Sequence, residues 1–468
     1  MRPTRPSRPC CYRHGVKLTV IGGGGFRVPQ IFQALSAGDA RLRVAELWLY
    51  DVSEQRLEVI GNVLAQLAAT AARPPAVHTT THLPDALDGA DFVFSAIRVG
   101  GTAGRVSDER TALRRGVLGQ ETVGPGGLAY ALRTVPRALR LAEEIRARAP
   151  RAWTINFTNP AGILTEAMRG VLGDRVVSIC DTPIGLMRRV AAAVGQDPRT
   201  VGFDYVGLNH LGWLRTLLVD GRDVLPDVLA SDTLLDGVEE ARILGFDWVR
   251  ALGAVPNEYL FYYYRHREAL ARVLAEEHTR GEFLDAQQTR FYRAAAAEPE
   301  RALEIWDRTR HEREASYMGE SRPREERYAR RAEDVEGGGY QEVALDLMTG
   351  LATGEAATMI LGVGNGSRGE GELLVPHLTP DAVVEVPCSV DRDGVHPHAV
   401  APLGGEMAGL LTTVKASEQL VLRALAEGSR ELAWRAFANH PLVDSTEVAR
   451  QLVEDYCAAT PEVDALLR

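Results

Sequence analysis

The run KLTVIGGGGFRVPQIFQAL, residues 17–35, narrows the folds open to this chain more than any other stretch. Strand-forming residues lead straight into four glycines, Gly22, Gly23, Gly24 and Gly25, and an apolar helical pattern follows at once. Glycines between a strand and a helix permit a tight turn and let backbone N–H groups approach an anion at the helix N-terminus. Phe26 and Arg27 interrupt the spacing at which a third glycine falls, and Phe26 is counted with the glycines as cofactor-facing. The second strand-like run, ELWLYD, closes on Asp51, where an acid can accept from both ribose hydroxyls of a dinucleotide. That position favours NAD over NADP.

Further short apolar runs, DFVFSAI, TINF and VVSIC, alternate with helical stretches over 129–149 and 161–171. Such alternation indicates βαβ units, so a Rossmann-like, doubly wound α/β domain is expected over 17–200. After DYVGLNHLGWL the texture changes, with long helical segments expected over 234–252 and 286–316. The charged stretch SRPREERYARRAEDVEGGG reads as a solvated helix face or mobile loop, and a Gly-rich region then leads into the strand-like AVVEVPCSV. Residues 201–468 are expected to form a mixed α/β substrate and oligomerisation domain, with the active site between the two domains. Residues 1–16, rich in Arg and Pro, read as a disordered tail, and the abrupt pattern at Lys17 also suits translation starting near Val16.

A chain of 468 residues, 45% hydrophobic, can bury a large core. Its net charge of −10, without a long basic block, argues against nucleic acid or a membrane surface as the main partner, and no apolar run reaches the length of a membrane span. The cysteines at 10, 11, 180, 388 and 457 show no regular spacing, so no disulfide framework is expected and a cytoplasmic location is the simplest.

Several polar residues stand where open α/β sheets bind ligands, at strand C-terminal ends. Cys180 ends the run VVSIC and His210 follows 30 residues later in GLNHLGW. A thiolate and an imidazole can hold a borderline divalent ion; alternatively Cys180 fills core space and Asp181 caps the next helix. Asn156 and Asn159 in NFTNPAG offer ligand amides or turn chemistry. Glu121 is the carboxylate of the loop GQETVGPGG, and Tyr259, Tyr262, Tyr263 and Tyr264 cluster in PNEYLFYYY. A tyrosine acts as a base only where positive charge lowers its pKa. The HPH at 396–398 reads as a surface loop.

The motifs VIGGGGFRVP, IRVGG, GVLGQETVGPGG, NFTNPAG, ICDTPIG, GLNHLGW and PNEYLFYYY, in that order, resemble glycoside hydrolase family 4. The resemblance runs from about Lys17 to the C-terminus and is densest from Gly22 to Tyr264. It implies a fold like that of lactate and malate dehydrogenases, and hydrolysis that uses NAD⁺ and a divalent ion, usually Mn²⁺. It further implies that Cys180 and His210 hold the metal and that Arg105, Asn159, Asn209 and Arg280 contact a phosphorylated substrate. Tyr259 is the implied base, with Glu121 raising its basicity and Tyr262 or Tyr263 as substitutes. In the implied chemistry C3 of the sugar is oxidised, the C2 proton becomes acidic, the C1 group is eliminated, water adds, and the hydride returns. The family is an exception to the two-carboxylate rule of glycosidases.

The expected substrates are 6-phospho-β-glucosides, as disaccharides or aryl glycosides, turned over by a homodimer or homotetramer. Gly25, Phe26 and Arg27 replace the serine and tyrosine common in the family's loop. Asp181 is the residue that α-specific members commonly carry after the metal cysteine and use as leaving-group acid, so an α-specific enzyme is the alternative. An NAD-dependent 2-hydroxy acid dehydrogenase and a silent NAD-binding sensor are the readings outside the family.

Overall fold

The computed structural model describes residues 15–322, 330–331, 339–369 and 371–468. The expected tail up to residue 14 and most of the charged stretch lie outside the described residues. Thirteen strands form one sheet: β1 (Val16–Ile21), β2 (Val44–Tyr50), β3 (Ala76–Thr80), β4 (Phe92–Ser95), β5 (Trp153–Asn156), β6 (Val176–Ser178), β7 (Gly202–Leu208), β8 (Leu211–Val219), β9 (Arg222–Asp223), β10 (Val255–Pro256), β11 (Ala357–Gly364), β12 (Val383–Asp391) and β13 (Gly394–Pro397).

The first six strands are parallel in the order β3-β2-β1-β4-β5-β6. This is the dinucleotide-binding order, in which the chain reverses direction across the sheet between β1 and β4 and opens a crevice there. The sheet continues through β11, β12, β7, β8 and β10 with antiparallel pairing. One lateral row crosses it: Tyr50, Ile21, Ser95, Asn156, Ser178, Gly362, Glu385 and Gly207 are each registered with the next.

Both faces are covered, as a parallel sheet requires. In β4 the alternation is direct: Phe92 and Phe94 join the core that contains Phe32, Ile60, Trp213 and Val386, while Val93 joins the opposite core of Leu132, Leu164, Phe437 and Leu452. The second core mixes both ends of the chain, because the helices Arg430–Asn439 and Thr446–Ala459 close over the side on which the helix Gly124–Arg148 lies.

Three expectations about elements need correction. The helix expected over 234–252 is three short ones, Asp232–Asp236, Glu239–Leu244 and Phe246–Leu252, the first two closed by Gly237 and Gly245, the latter at φ +91°. The helix expected over 286–316 is divided into Arg280–Ala297 and Ala302–Ala315 at Pro299, which has no N–H to continue the ladder. His396 and Pro397 of the HPH segment lie on β13 and His398 directly follows it, so the segment is not wholly a loop; His396 Nε2 is 2.9 Å from Asp391 Oδ1 and His398 Nε2 is 2.6 Å from Ser389 Oγ.

The seam between the parallel and antiparallel parts is Gly362 opposite Ser178. A Cβ at Gly362 would land on Ser178 Oγ and lie 3.2 Å from its Cβ. A Gly362→Val substitution is therefore predicted to cost about 1–3 kcal/mol through overpacking. Chemical denaturation checks this, and an unchanged midpoint would show that the seam has room.

Candidate active site

The glycine loop leaves β1 at the point where the sheet order reverses. Gly22 has φ +90°, and a Cβ there would lie 2.5 Å from the Ala96 carbonyl oxygen, so the close approach of the loops after β1 and β4 demands glycine. The N–H groups of Gly22 and Gly23 bond the Tyr50 carbonyl at 2.9 and 2.7 Å. Asp51 accepts from the Gly24 N–H at 3.0 Å through Oδ2 and from the Ser53 N–H at 3.0 Å through Oδ1. These bonds hold the carboxylate at the mouth of a cavity of about 880 Å³ that Gly22, Gly25, Phe26 and Asp51 all line. The Phe26 ring also packs edge-on against Phe291 with centroids 5.0 Å apart, and Trp306 Nε1 donates to the Phe26 carbonyl at 2.9 Å. Phe26 thus anchors the loop to the core while bordering the cavity.

Cys180 and His210 line the same cavity, both buried. Cys180 precedes the helix Asp181–Ala193, and its Sγ lies 3.3 Å from Thr182 Oγ1. His210 sits in the two-residue turn between β7 and β8 with φ +62°, a conformation that non-glycine residues adopt sparingly and that recurs at functional sites. Burial lowers its pKa to about 3, so the imidazole is neutral. Its tautomer follows from a chain of bonds. Gln120 Oε1 accepts the N–H groups of Thr122 (2.6 Å) and Val123 (2.9 Å), and with the Thr122 hydroxyl proton also directed to it (3.1 Å) the Thr122 oxygen, 2.8 Å from His210 Nδ1, accepts from Nδ1–H. Nε2 is left with its lone pair, as a metal ligand needs. Burial, then Asp181 and Glu385, raise the Cys180 thiol well above its usual pKa; a coordinated cation reverses that. A thiolate and an imidazole on one cavity suit a borderline divalent ion, and among the described residues no group of three or more His, Cys, Asp or Glu supplies a complete ligand set of those types.

The Tyr259 ring stacks on His210, with centroids 3.7 Å apart and 5° between planes. Tyr317 Oη lies 3.2 Å from Tyr259 Oη and 2.6 Å from Glu258 Oε1, which makes a line of three acid groups from two cavity residues, Tyr259 and Tyr317, to the buried Glu258. Burial and the neighbouring Glu239 and Glu240 raise Glu258 to about 7, while burial and Glu258 push Tyr259 well above the usual tyrosine range. Tyr262 also lines the cavity, but its hydroxyl donates to Glu320; Tyr263 packs by His440 and Tyr264 accepts from Trp213 Nε1 at 3.0 Å. Asp181 is the first helical residue, makes no capping bond, and borders the cavity, so the helix-cap alternative fails. Burial opposes ionisation of Glu121, but Arg105 and Arg98 outweigh it and hold the carboxyl far below the usual range.

Arg105 is committed: Nε donates to Glu109 at 2.7 Å and Nη1 to Glu121 at 2.6 Å. Asn159 lines the cavity, whereas Asn156 is structural, its amide bonding Thr158, Ala161 and Thr165. Asn209 borders the cavity too, with its Nδ2 donating to Glu385 at 3.0 Å. Arg280 opens the helix Arg280–Ala297 beside a capping box of Thr279 and Glu282. Among the cavity residues that went unmarked in the sequence are Arg98, Thr122, Arg313 and Tyr317. Arg98 and Thr122 lie within quoted motifs and were open to notice; Arg313 and Tyr317 lie in a charged helical stretch without local signal.

Two substitutions test the metal reading by Mn²⁺ binding, followed by electron paramagnetic resonance. Cys180→Ala should abolish binding. Thr122→Val should weaken it about 10- to 100-fold by releasing the tautomer. Undiminished binding in Cys180→Ala would remove that thiol from the ligand set.

A family model described as family 4 glycosyl hydrolase matches residues 17–196, and one described as the C-terminal domain of that family matches 205–443. The chain is 31% identical over 454 residues to a probable 6-phospho-beta-glucosidase of Bacillus subtilis, covering 95% of this chain and 96% of the relative. It is 29% identical to a phospho-alpha-glucosidase of Clostridium acetobutylicum over 94% of this chain and 97% of that one. The solved structure of the 6-phospho-beta glucosidase from Thermotoga maritima with NAD and glucose-6-phosphate aligns with a TM-score of 0.78 at 26% identity, over 95% of this chain and 98% of that one. With both matched regions on one sheet and their motifs converging on one cavity, the chain belongs to family 4 of the glycosyl hydrolases.

Proposed function

We propose that the protein hydrolyses 6-phospho-β-glucosides with NAD⁺ and a divalent ion, Mn²⁺ being the one the resemblance implies. The observation that carries this reading is the meeting of the glycine loop and Asp51, the pair Cys180 and His210, and Tyr259 on one cavity. The Thermotoga maritima structure with NAD and glucose-6-phosphate supports it. Bound NAD⁺ supplies a reversible hydride acceptor for C3, and the cation supplies Lewis-acid stabilisation of the sugar oxygens.

The chain's own residues do the proton work. Tyr259 acts as a base once its own proton has left by way of Tyr317 toward Glu258, and its phenolate Oη then takes the C2 proton. Glu121, kept ionised by Arg105 and Arg98, disfavours loss of basicity at Tyr259 by its negative charge. Asn159 and Arg280 orient the substrate from the cavity wall.

Asp181 favours a second reading. It is uncapped and faces the cavity, where it can protonate a leaving oxygen as the α-specific reading requires. The assay that separates the two uses p-nitrophenyl 6-phospho-β- and α-D-glucosides with NAD⁺, Mn²⁺ and reductant. Faster release from the β-anomer is expected, and release that persists without NAD⁺ sinks the redox route. Tyr259→Phe should lower turnover by about 10²–10⁴-fold. Product formed in D₂O should carry deuterium at C2; its absence would count against proton abstraction there.

A further inference from the structure

Peptide units next to Gly24 and Gly25 turn over easily, because glycine accepts either sign of φ. No residue from Gly22 to Arg27 carries a hydroxyl that could hold the loop from within. Every carbonyl from Gly24 to Arg27 is nonetheless held. That of Gly25 accepts the Val28 N–H at 3.1 Å inside the turn. The other three are held from outside it: Tyr292 Oη donates to the Gly24 carbonyl at 2.6 Å, Trp306 Nε1 to that of Phe26 at 2.9 Å and Tyr340 Oη to that of Arg27 at 2.7 Å, where the Gln30 N–H also donates at 3.2 Å. These side chains come from three separate helices, Arg280–Ala297, Ala302–Ala315 and Tyr340–Thr353, all in the second half of the chain. Burial raises both phenols above the usual tyrosine range, so each keeps its proton to donate.

In a trans peptide unit the carbonyl and the N–H point to opposite sides, so a donor that fixes the one also aims the other. Trp306, by holding the Phe26 carbonyl, sends the Arg27 N–H the opposite way. The N–H groups of Phe26 and Arg27 have no acceptor among the described residues, and both residues line the large cavity. They stand just ahead of the helix Val28–Ser36, whose Pro29 has no N–H to offer. A loop binds an anion only with its N–H groups inward, and one reversed unit would set a carbonyl oxygen against it. The three aromatic donors oppose that reversal, since a unit that turned over would leave a buried donor unpaired.

We propose that Tyr292, Trp306 and Tyr340 are positioning residues for the dinucleotide: by fixing the carbonyls of Gly24, Phe26 and Arg27, they keep the loop's free N–H groups turned toward the pyrophosphate. This rests on the reading of the cavity as an NAD⁺ site. Trp306 is not among the residues that line the cavity, so it acts through the loop alone. The half of the chain expected to serve substrate and oligomerisation thus also shapes the cofactor site. Cofactor affinity falls with the fraction of molecules whose loop is correctly turned, and these bonds set that fraction.

The test is calorimetric titration of wild-type, Tyr292→Phe, Tyr340→Phe and Trp306→Phe proteins, and of the double tyrosine variant, with NAD⁺, ADP-ribose and adenosine. Each tyrosine variant should bind NAD⁺ and ADP-ribose about 3- to 10-fold more weakly, the range for one hydrogen bond, with adenosine affinity unchanged. The double variant should lose about 10- to 100-fold, as independent bonds add. If Trp306→Phe does not fold, the tyrosine variants, which lose only an oxygen, carry the test. A lower melting temperature with NAD⁺ affinity unchanged would make the bonds purely structural and overturn the proposal. Equal losses for adenosine and NAD⁺ would place the effect at Asp51 and overturn it as well. A wild-type protein that binds no NAD⁺ would remove the dinucleotide reading itself, and this inference with it.

Discussion

One row of backbone pairing organises this molecule. Tyr50, Ile21, Ser95, Asn156, Ser178, Gly362, Glu385 and Gly207 are registered side by side across eight strands. Asp51 and Gly22 lie one residue beyond it, Cys180 two, and Arg98, Asn159 and His210 three. Side chains far apart in sequence are thus delivered to one edge by hydrogen-bond geometry with little freedom. The row closes only because small residues stand at its crossings, Ser178 against Gly362 and then Gly207, where larger ones would hold the strands apart. Asn209 adds a side-chain tie by bonding Glu385, which fixes the His210 turn to β12.

The charge pattern is as local as the fold is long-range. The chain carries a net −10, yet its cavity gathers Arg27, Arg98, Arg105, Arg280 and Arg313. Glu121 bridges two of them and Glu109 also holds Arg105, so two carboxylates balance two guanidiniums and no bare carboxylate is left near Tyr259. Arg280 and Arg313 have no carboxylate partner among the described residues, and Arg27 lies against the Phe157 and Tyr340 rings, so the cavity is locally basic in an acidic protein. His210 and Tyr259 show the complementary case, where burial keeps both neutral until a cation changes the balance.

The glycine loop, Asp51, Cys180 and His210 were legible because each stands at the end of an apolar run whose period marks a strand. The same alternation indicated the doubly wound character of the first half, while its strand order came only with the coordinates. Helices in the second half were less readable: Gly237, Gly245 and Pro299 break stretches whose composition favours one continuous helix. Arg313 and Tyr317 carried no signal, since a charged helical segment looks alike whether its arginines face solvent or a cavity. Even Asp181 needed coordinates, because a residue at a helix start reads as a cap until the bond it fails to make is seen.

The sequence by itself determined the local chemistry. Glycines permit the turn at φ +90°, strand ends carry the acid, thiol and imidazole, and the motif order places the chain in its family. Only the tertiary structure decided which of those groups are free to act. Arg105 is spent on Glu109 and Glu121, His210 Nδ1 is engaged by Thr122, and Arg313 lies over the Phe26 ring with its Nη1 left without a hydrogen bond. The physical reason is that side-chain availability depends on neighbours tens or hundreds of residues away. Periodicity reports which face of an element is buried, but a counter-charge or an acceptor is assigned only when the sheet has brought distant segments together.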